Sequence, residues 1–403
     1  MKSTSPASHH RVLIVGGGTA GLTVAARLRK AGVEDIAVLD PSPTHYYQPL
    51  WTLVGGGQAD LRSTGRPLGS AVPAGVAWIR DSAVTFDPEA DTVTTTGGAT
   101  IGYDQLVVAP GLQLRFDGVP GLAEALATAP VSSNYRADLA PRTWELIRNL
   151  RSGTAVFTQP AGPIKCAGAP QKIAYLAADY WRRQGVLSDI RMVLVIPDPA
   201  MFKVPVWASV LEKVAARYSI EVRLSSEMVS VDGPTRELVV ADNAAGSTER
   251  LHFDLLHAVP PQAAPDAVRN SPLADPASPF GYVEVDKHTL VHRRYPNVYS
   301  LGDAANVPTS KTGAAIRKQA PVVVANMLAA AAGREPEGRY DGYTSCPLVT
   351  ARDKMLLAEF DYELQPAPSI PFVDTTRERR DMWLLKRYGL PALYWHGMLK
   401  GRA

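Results

Sequence analysis

The chain has 403 residues, 46% hydrophobic and 20% charged, with a net charge of +3 and two cysteines. That length supports two domains with full cores, and so small a net charge does not by itself argue for nucleic acid. Two cysteines make neither a disulfide framework nor a thiolate metal site alone, and the eight histidines show no metal-type spacing.

Met1 to Arg11 is polar and lacks an apolar stretch, so no signal peptide is expected. Residues 11–15 (Arg-Val-Leu-Ile-Val) read as a short strand, followed at once by Gly16-Gly17-Gly18-Thr19-Ala20-Gly21. A helical run from Leu22 to Ala31 and a strand Ile36-Ala37-Val38-Leu39 ending in Asp40 complete the unit. Strand, glycine turn, helix, strand and acid in that order are the pattern of a dinucleotide-binding fold. Gly16 permits the tight turn, Gly18 lets backbone N–H groups approach a pyrophosphate, and Gly21 lets helix and strand pack closely. Asp40, 19 residues beyond Gly21, is placed to accept from a ribose hydroxyl.

Two later segments narrow the ligand. Tyr103-Asp104-Gln105-Leu106-Val107-Val108-Ala109-Pro110-Gly111 resembles the strand and turn that pass beneath a bound flavin nucleotide. Asn297 to Ala305 resembles the strand ending in Gly-Asp, where Gly302 admits the cofactor backbone and Asp303 accepts from a ribityl hydroxyl. Together the three segments resemble the two-dinucleotide-binding-domain flavoproteins. The resemblance implies FAD and an α/β fold of two Rossmann-like domains. The FAD domain is then split into 1–125 and 275–335 around a second domain, 126–274, with 336–403 forming a C-terminal region.

The inserted segment alternates again, with strand-like Ala155-Val156-Phe157, Met192 to Ile196 and Leu255 to Val259, and a helix from Gln171 to Gln184. Its first turn reads Gln159-Pro160-Ala161-Gly162-Pro163-Ile164-Lys165-Cys166-Ala167-Gly168. Prolines, a lysine and a cysteine stand where close-approach glycines would cradle a nicotinamide nucleotide, and proline removes backbone donors. The domain is expected to lack a nicotinamide site. Lys165, adjacent to Cys166, and the helix starting near Pro170 are expected to favour a thiolate. The second cysteine lies in Tyr343-Thr344-Ser345-Cys346-Pro347, at a stiff loop-to-strand entry.

A closer resemblance then emerges. His45 to Gly57, Pro163 to Lys172, Pro308-Thr309-Ser310-Lys311-Thr312, Tyr343 to Pro347 and Leu393 to Gly401 are similar to segments of sulfide:quinone oxidoreductases, nearest to the subgroup with the mitochondrial enzymes. The resemblance implies that Cys166 and Cys346 carry a disulfide or sulfur-bridged pair, opened by sulfide to give a persulfide. Gly16, Gly18, Thr19, Gly21, Asp40, Gln48, Val84, Gly302 and Asp303 would hold FAD, Val84 through its backbone beside the adenine. Lys311 would stabilise negative charge on the reduced flavin or lie near the quinone. Many bacterial relatives carry a third cysteine in the N-terminal half, and this chain has none, so sulfane sulfur is expected to leave as polysulfide or to a soluble acceptor such as sulfite or a thiol. The remaining implied partners are a membrane quinone, a membrane surface and a second copy of the chain; no nucleic acid is expected.

The longest uncharged helical run, Gln319 to Gly333, has 15 residues, fewer than the roughly 20 needed to span a bilayer. Arg377 to Tyr388 and Pro391 to Lys400 read as two short amphipathic helices broken at Gly389-Leu390-Pro391. Aromatics flanked by Lys and Arg suit a membrane interface, so peripheral attachment to an inner or plasma membrane is expected. Two rival readings use the same scaffold: an NADH:quinone oxidoreductase, and a non-enzymatic flavin redox-sensing module.

Overall fold

The computed structural model describes residues 8–403. Apolar, β-branched runs near the N-terminus build the parallel part of a seven-stranded sheet. Its order is Val76–Ile79, Ile36–Leu39, Ser8–Val15, Thr100–Val108 and Val298–Ser300. Leu13, Ile14, Leu106 and Val107 are fully buried, as expected for strands covered on both faces. The N-terminal end of Thr100–Val108 pairs instead with Thr92–Thr95, which pairs with Ala83–Asp87 in an antiparallel corner.

Between Thr100–Val108 and Val298–Ser300 the chain builds a second sheet of five parallel strands. Their order is Val131–Ser132, Leu255–His257, Gly153–Thr158, Ile190–Val195 and Glu221–Arg223. The chain then returns, so Val298–Ser300 delivers Gly302 and Asp303 to the carboxyl ends of the first sheet, where ligands bind in open α/β folds.

An antiparallel hairpin, Thr344–Ala351 with Lys354–Phe360, follows. Pro347 is tolerated because its strand pairs on one side only. Alternation gives the hairpin two distinct faces. Cys346, Leu348, Leu356, Ala358 and Phe360 enter the core of the second sheet, whereas Ser345, Pro347, Leu357 and Glu359 face a cavity.

The C-terminal segment departs from expectation. Its backbone stays helical from Arg380 to Lys400, with no break at Gly389-Leu390-Pro391. Five-residue π turns, Leu385–Gly389 and Leu393–Gly397, flank Pro391. Their wider bonding carries the helix past a residue that has no N–H. Met382, Tyr394, Trp395, Met398 and Leu399 join the main core, and Arg27 and Lys30 donate to the oxygens of Ala403 and Gly401. Leu384, Tyr388 and Leu393 remain exposed. No helix of the described residues is long and apolar enough to cross a membrane.

Candidate active site

The first glycine turn is built around an empty approach. Gly16 has φ +108°, and a Cβ there would sit 2.2 Å from the Ala109 oxygen. A Cβ on Gly21 would sit 1.9 Å from the Gly16 oxygen, whereas one on Gly18 would meet nothing within 4 Å. The helix Thr19–Lys30 therefore starts at Gly18 with no side-chain cap and no acid in its first turn, its free N–H groups and dipole left for an anion. Asp40 accepts from the Gly17 N–H at 2.6 Å and the Ser42 N–H at 2.8 Å, which fixes the carboxylate at the mouth of the turn. This cradle fits a dinucleotide pyrophosphate and ribose.

A cavity of about 600 Å³ runs from this turn. Gly18, Thr19, Asp40, Gln48, Cys166, Asp303 and Lys311 share its wall. Gly16, Gly21 and Gly302 shape the backbone behind it. Val84 lies apart, 45% exposed, at a bulge in the strand pairing of the antiparallel corner.

The second turn has the same strand–turn–helix layout with the opposite content. The helix Ala169–Gln184 begins at Gly168 with Pro170 in its first turn and ends at left-handed Gly185, the expected start and stop signals. A Cβ on Gly168 would lie 2.3 Å from Leu348 Cδ2 and 2.9 Å from Cys346 Sγ. The C-terminal hairpin thus packs closely against this helix N-terminus.

Cys166 Sγ lies 3.5 Å from Cys346 Sγ, in contact though not bonded. Cys346 is 2% exposed, and Cys166 is half-buried and opens to the cavity. Cys166 takes a left-handed φ of +52°, which costs about 1–2 kcal/mol for an L-residue. Its N–H bonds the Lys311 oxygen at 2.9 Å, and its carbonyl accepts from Tyr135 OH at 3.3 Å, so the turn is held from both sides.

The cation beside the thiol is not the expected one. Lys165 points to Gln48, donating to Oε1 at 2.6 Å, while Lys172 Nζ sits 2.9 Å from Cys166 Sγ. At an effective dielectric of about 20 such a contact supplies a few kcal/mol of attraction before the cost of burial. The hydrogen bond from Cys346 and then the Lys172 charge pull the Cys166 thiol well below its ordinary range, against the opposing effect of burial. Cys346 is pushed well above that range by the same hydrogen bond, by burial and by the Cys166 charge. Lys386, from the C-terminal helix, is 2% exposed and donates to the Pro49 oxygen at 3.0 Å. Burial and the nearby Lys172 charge bring it down to about 7.

Lys311 is also buried. Its ammonium bonds the Asp303 and Ala305 oxygens at 2.7 and 2.9 Å and lies 3.6 Å from the centroid of the Tyr282 ring, tying down the Gly302-Asp303 turn. Burial lowers it to about 8. Tyr394 reaches the first turn from the C-terminal helix. Its hydroxyl bonds Thr19 Oγ1 at 3.0 Å and His45 Nε2, and His45 Nδ1 bonds the Gly17 oxygen at 2.8 Å. Sequence reasoning gave no role to Lys172 or His45, and it placed Lys386 and Tyr394 among the basic and aromatic residues of a membrane interface, whereas both are buried. Only Lys172 had a usable signal, its place in the first turn of a helix that starts beside Cys166.

Residues 10–331 match the family model for pyridine nucleotide-disulphide oxidoreductases. The mitochondrial sulfide:quinone oxidoreductase of Dictyostelium discoideum is 42% identical over 395 residues, covering 97% of this chain and 86% of that protein. The chain belongs to the sulfide:quinone oxidoreductase family. The Mus musculus mitochondrial enzyme is 39% identical, with 98% and 87% of the two chains covered. The crystal structure of the sulfide:quinone oxidoreductase of Aquifex aeolicus superposes with a TM-score of 0.79 at 21% identity, over 98% of this chain and 92% of that one, which establishes the shared fold. Family membership carries a flavin cofactor with it.

Proposed function

We propose that this protein oxidises sulfide to sulfane sulfur at Cys166 and Cys346 and passes two electrons through FAD to a quinone. The observation that carries the reading is the 3.5 Å contact of the two thiols at a helix N-terminus against which the hairpin packs. FAD would be held by Gly16, Gly18, Thr19 and Gly21 at its pyrophosphate, Asp40 at its ribose, Gln48, Gly302, Asp303 and Lys311 along the cavity, and Val84 through its backbone. The bulge at Val84 leaves that backbone outside the regular strand ladder, which supports this last assignment. When bound, FAD accepts two electrons from the cysteine pair and hands them to the quinone.

The electrostatics give the pair a direction. In the oxidised pair, HS⁻ forms a bond to Cys346 Sγ and breaks the Cys166–Cys346 bond, leaving a persulfide on Cys346 and a thiolate on Cys166. The thiol of lower pKa leaves faster, and Cys166 is the one that Lys172 stabilises as thiolate. The cavity-facing sulfur therefore carries the electron pair, while the buried sulfur carries the product. A nucleophile such as sulfite, a thiol or a second sulfide then takes the sulfane sulfur from Cys346. The division of the chain at 1–125, 126–274, 275–335 and 336–403 belongs to the same reading, and the confinement of the second sheet to residues 131–257 supports it.

Attachment to a membrane surface would use Phe372, which is fully exposed, with Leu384, Tyr388 and Leu393 beside the basic residues of the C-terminal helix. Tyr394, Trp395 and Met398 belong to the core, so point substitutions test this reading better than truncation does. Phe372→Ser with Tyr388→Ser should release the protein from anionic vesicles at unchanged flavin content.

The main reading is tested by mixing the purified protein anaerobically with sulfide, sulfite and a soluble ubiquinone analogue. One quinol and one thiosulfate per sulfide consumed are expected. Quinol formation with NADH and none with sulfide would overturn it.

A further inference from the structure

The cavity-facing side of the hairpin carries one acidic residue, Glu359, opposite Ser345 in the strand pairing. It is 2% exposed on a face otherwise formed by Ser345, Pro347 and Leu357. Burying a carboxylate among such neighbours is costly unless it is hydrogen-bonded. Its partners are not cations. Glu359 Oε1 accepts from the Tyr343 hydroxyl and from Ser369 Oγ at 2.5 Å, and Oε2 accepts from the Ser369 N–H at 3.1 Å.

The two hydroxyls lie in different surroundings. Tyr343 is buried and lines the same cavity, whereas Ser369 is exposed to solvent. A chain of exchangeable protons therefore runs from bulk water through Ser369 to Glu359 and the cavity. Ile370, Leu385, Leu390 and Leu393 give the same cavity an apolar lining suited to a quinone ring. The cysteine chemistry uses none of these groups.

We propose that Glu359 is the acid that protonates the quinone during its reduction, reloaded from water through Ser369. This rests on the sulfide:quinone reading above. Reduction of a quinone takes two electrons and two protons. The electrons come from the reduced flavin. Glu359, a carboxylate held by Tyr343 and Ser369, takes a proton from water by way of Ser369, gives it to a quinone oxygen, and repeats the transfer for the second proton. Strand alternation places Glu359 and Cys346 on opposite faces at the same end of one hairpin, so the proton and sulfur steps act on its two sides.

The test separates the two half-reactions in the FAD-bound protein. Glu359→Gln keeps the shape and removes the acid. Flavin bleaching by sulfide should be unchanged, while reoxidation of dithionite-reduced flavin by decylubiquinone should slow by about 100-fold, the scale of general-acid catalysis. Glu359→Ala should show the same defect and recover when formate is added. Ser369→Ala, at an exposed position and thus safe for folding, should slow reoxidation by roughly 3- to 10-fold and raise the solvent deuterium isotope effect. Normal reoxidation of Glu359→Gln, or no rescue of Glu359→Ala by formate, would overturn the proposal while leaving the sulfide:quinone reading intact. Wild-type flavin that sulfide bleaches but decylubiquinone does not reoxidise would overturn both.

Discussion

The two glycine turns of this molecule occupy equivalent places in the parallel parts of two sheets and have opposite surroundings. At the first, Gly18 faces open space and the helix Thr19–Lys30 begins uncapped against a cavity. At the second, Gly168 is pressed against Leu348 and Cys346, and the loop carries a thiol with a left-handed backbone. The same helix N-terminus that favours a phosphate also favours a thiolate, because both are anions. What separates the two sites is the hairpin Thr344–Ala351/Lys354–Phe360, which packs Leu348 and Cys346 against Gly168.

The contrast breaks most completely at the sulfur pair. Cys166→Ser or Cys346→Ser should lower the rate of flavin reduction by sulfide on the order of ten-thousand-fold, as expected when a nucleophile that acts within a unit is removed. FAD should stay bound, since neither cysteine belongs to the first turn; its absorbance spectrum in the purified variants checks this.

Gly16→Ala attacks the other side of the comparison. The added Cβ would meet the Ala109 oxygen at 2.2 Å with φ at +108°. A penalty of about 3 kcal/mol is expected, the upper end of an overpacking cost. That corresponds to roughly a hundredfold weaker FAD binding, read by fluorescence on dilution. The reduced cysteines should remain in contact, so the rate of crosslinking by a short bifunctional thiol reagent should be unaffected.

Lys172→Gln probes the thiolate itself. With Lys172 present the Cys166 pKa is lowered, so the thiolate persists as pH falls below the usual thiol range and is lost only below the lowered value. Removing the cation should move the midpoint for iodoacetamide alkylation of Cys166 upward by roughly one to two pH units, the usual effect of an adjacent opposite charge. Lys165→Gln, by contrast, should leave the midpoint in place, since Lys165 is spent on Gln48.

Tyr394→Phe is the smallest change. It removes the hydroxyl shared by Thr19 and His45, leaving the buried His45 Nε2 without that partner. A loss of about 1–2 kcal/mol in stability is expected, measured by urea unfolding.

Much of the first turn was legible because its demands are local. Gly16 and Gly21 answer to backbone clearance and Asp40 to two backbone N–H groups, and such needs show directly in residue type. Cys166 was legible from the loop that holds it, and the fold sets its sulfur 3.5 Å from that of Cys346. The identity of the activating cation was not. Side chains on a helix lean toward its N-terminus, so Lys172 reaches back over Cys166, while Lys165, its neighbour in sequence, leaves the extended loop on another side. The C-terminal helix hid its continuity behind Gly389 and Pro391, ordinarily helix breakers, which the π turns carry within one helical run. Glu359 gave no sign either. Only strand alternation in the folded hairpin distinguishes its cavity-facing side from the side that buries Cys346.

The central claim is that the second helix N-terminus serves sulfur and not a nicotinamide nucleotide. Stopped-flow spectroscopy of the oxidised FAD-bound protein under anaerobic conditions tests it most directly. Sulfide should bleach the flavin while NADH and NADPH leave it oxidised. Bleaching by either nicotinamide nucleotide, with sulfide inert, would contradict the account.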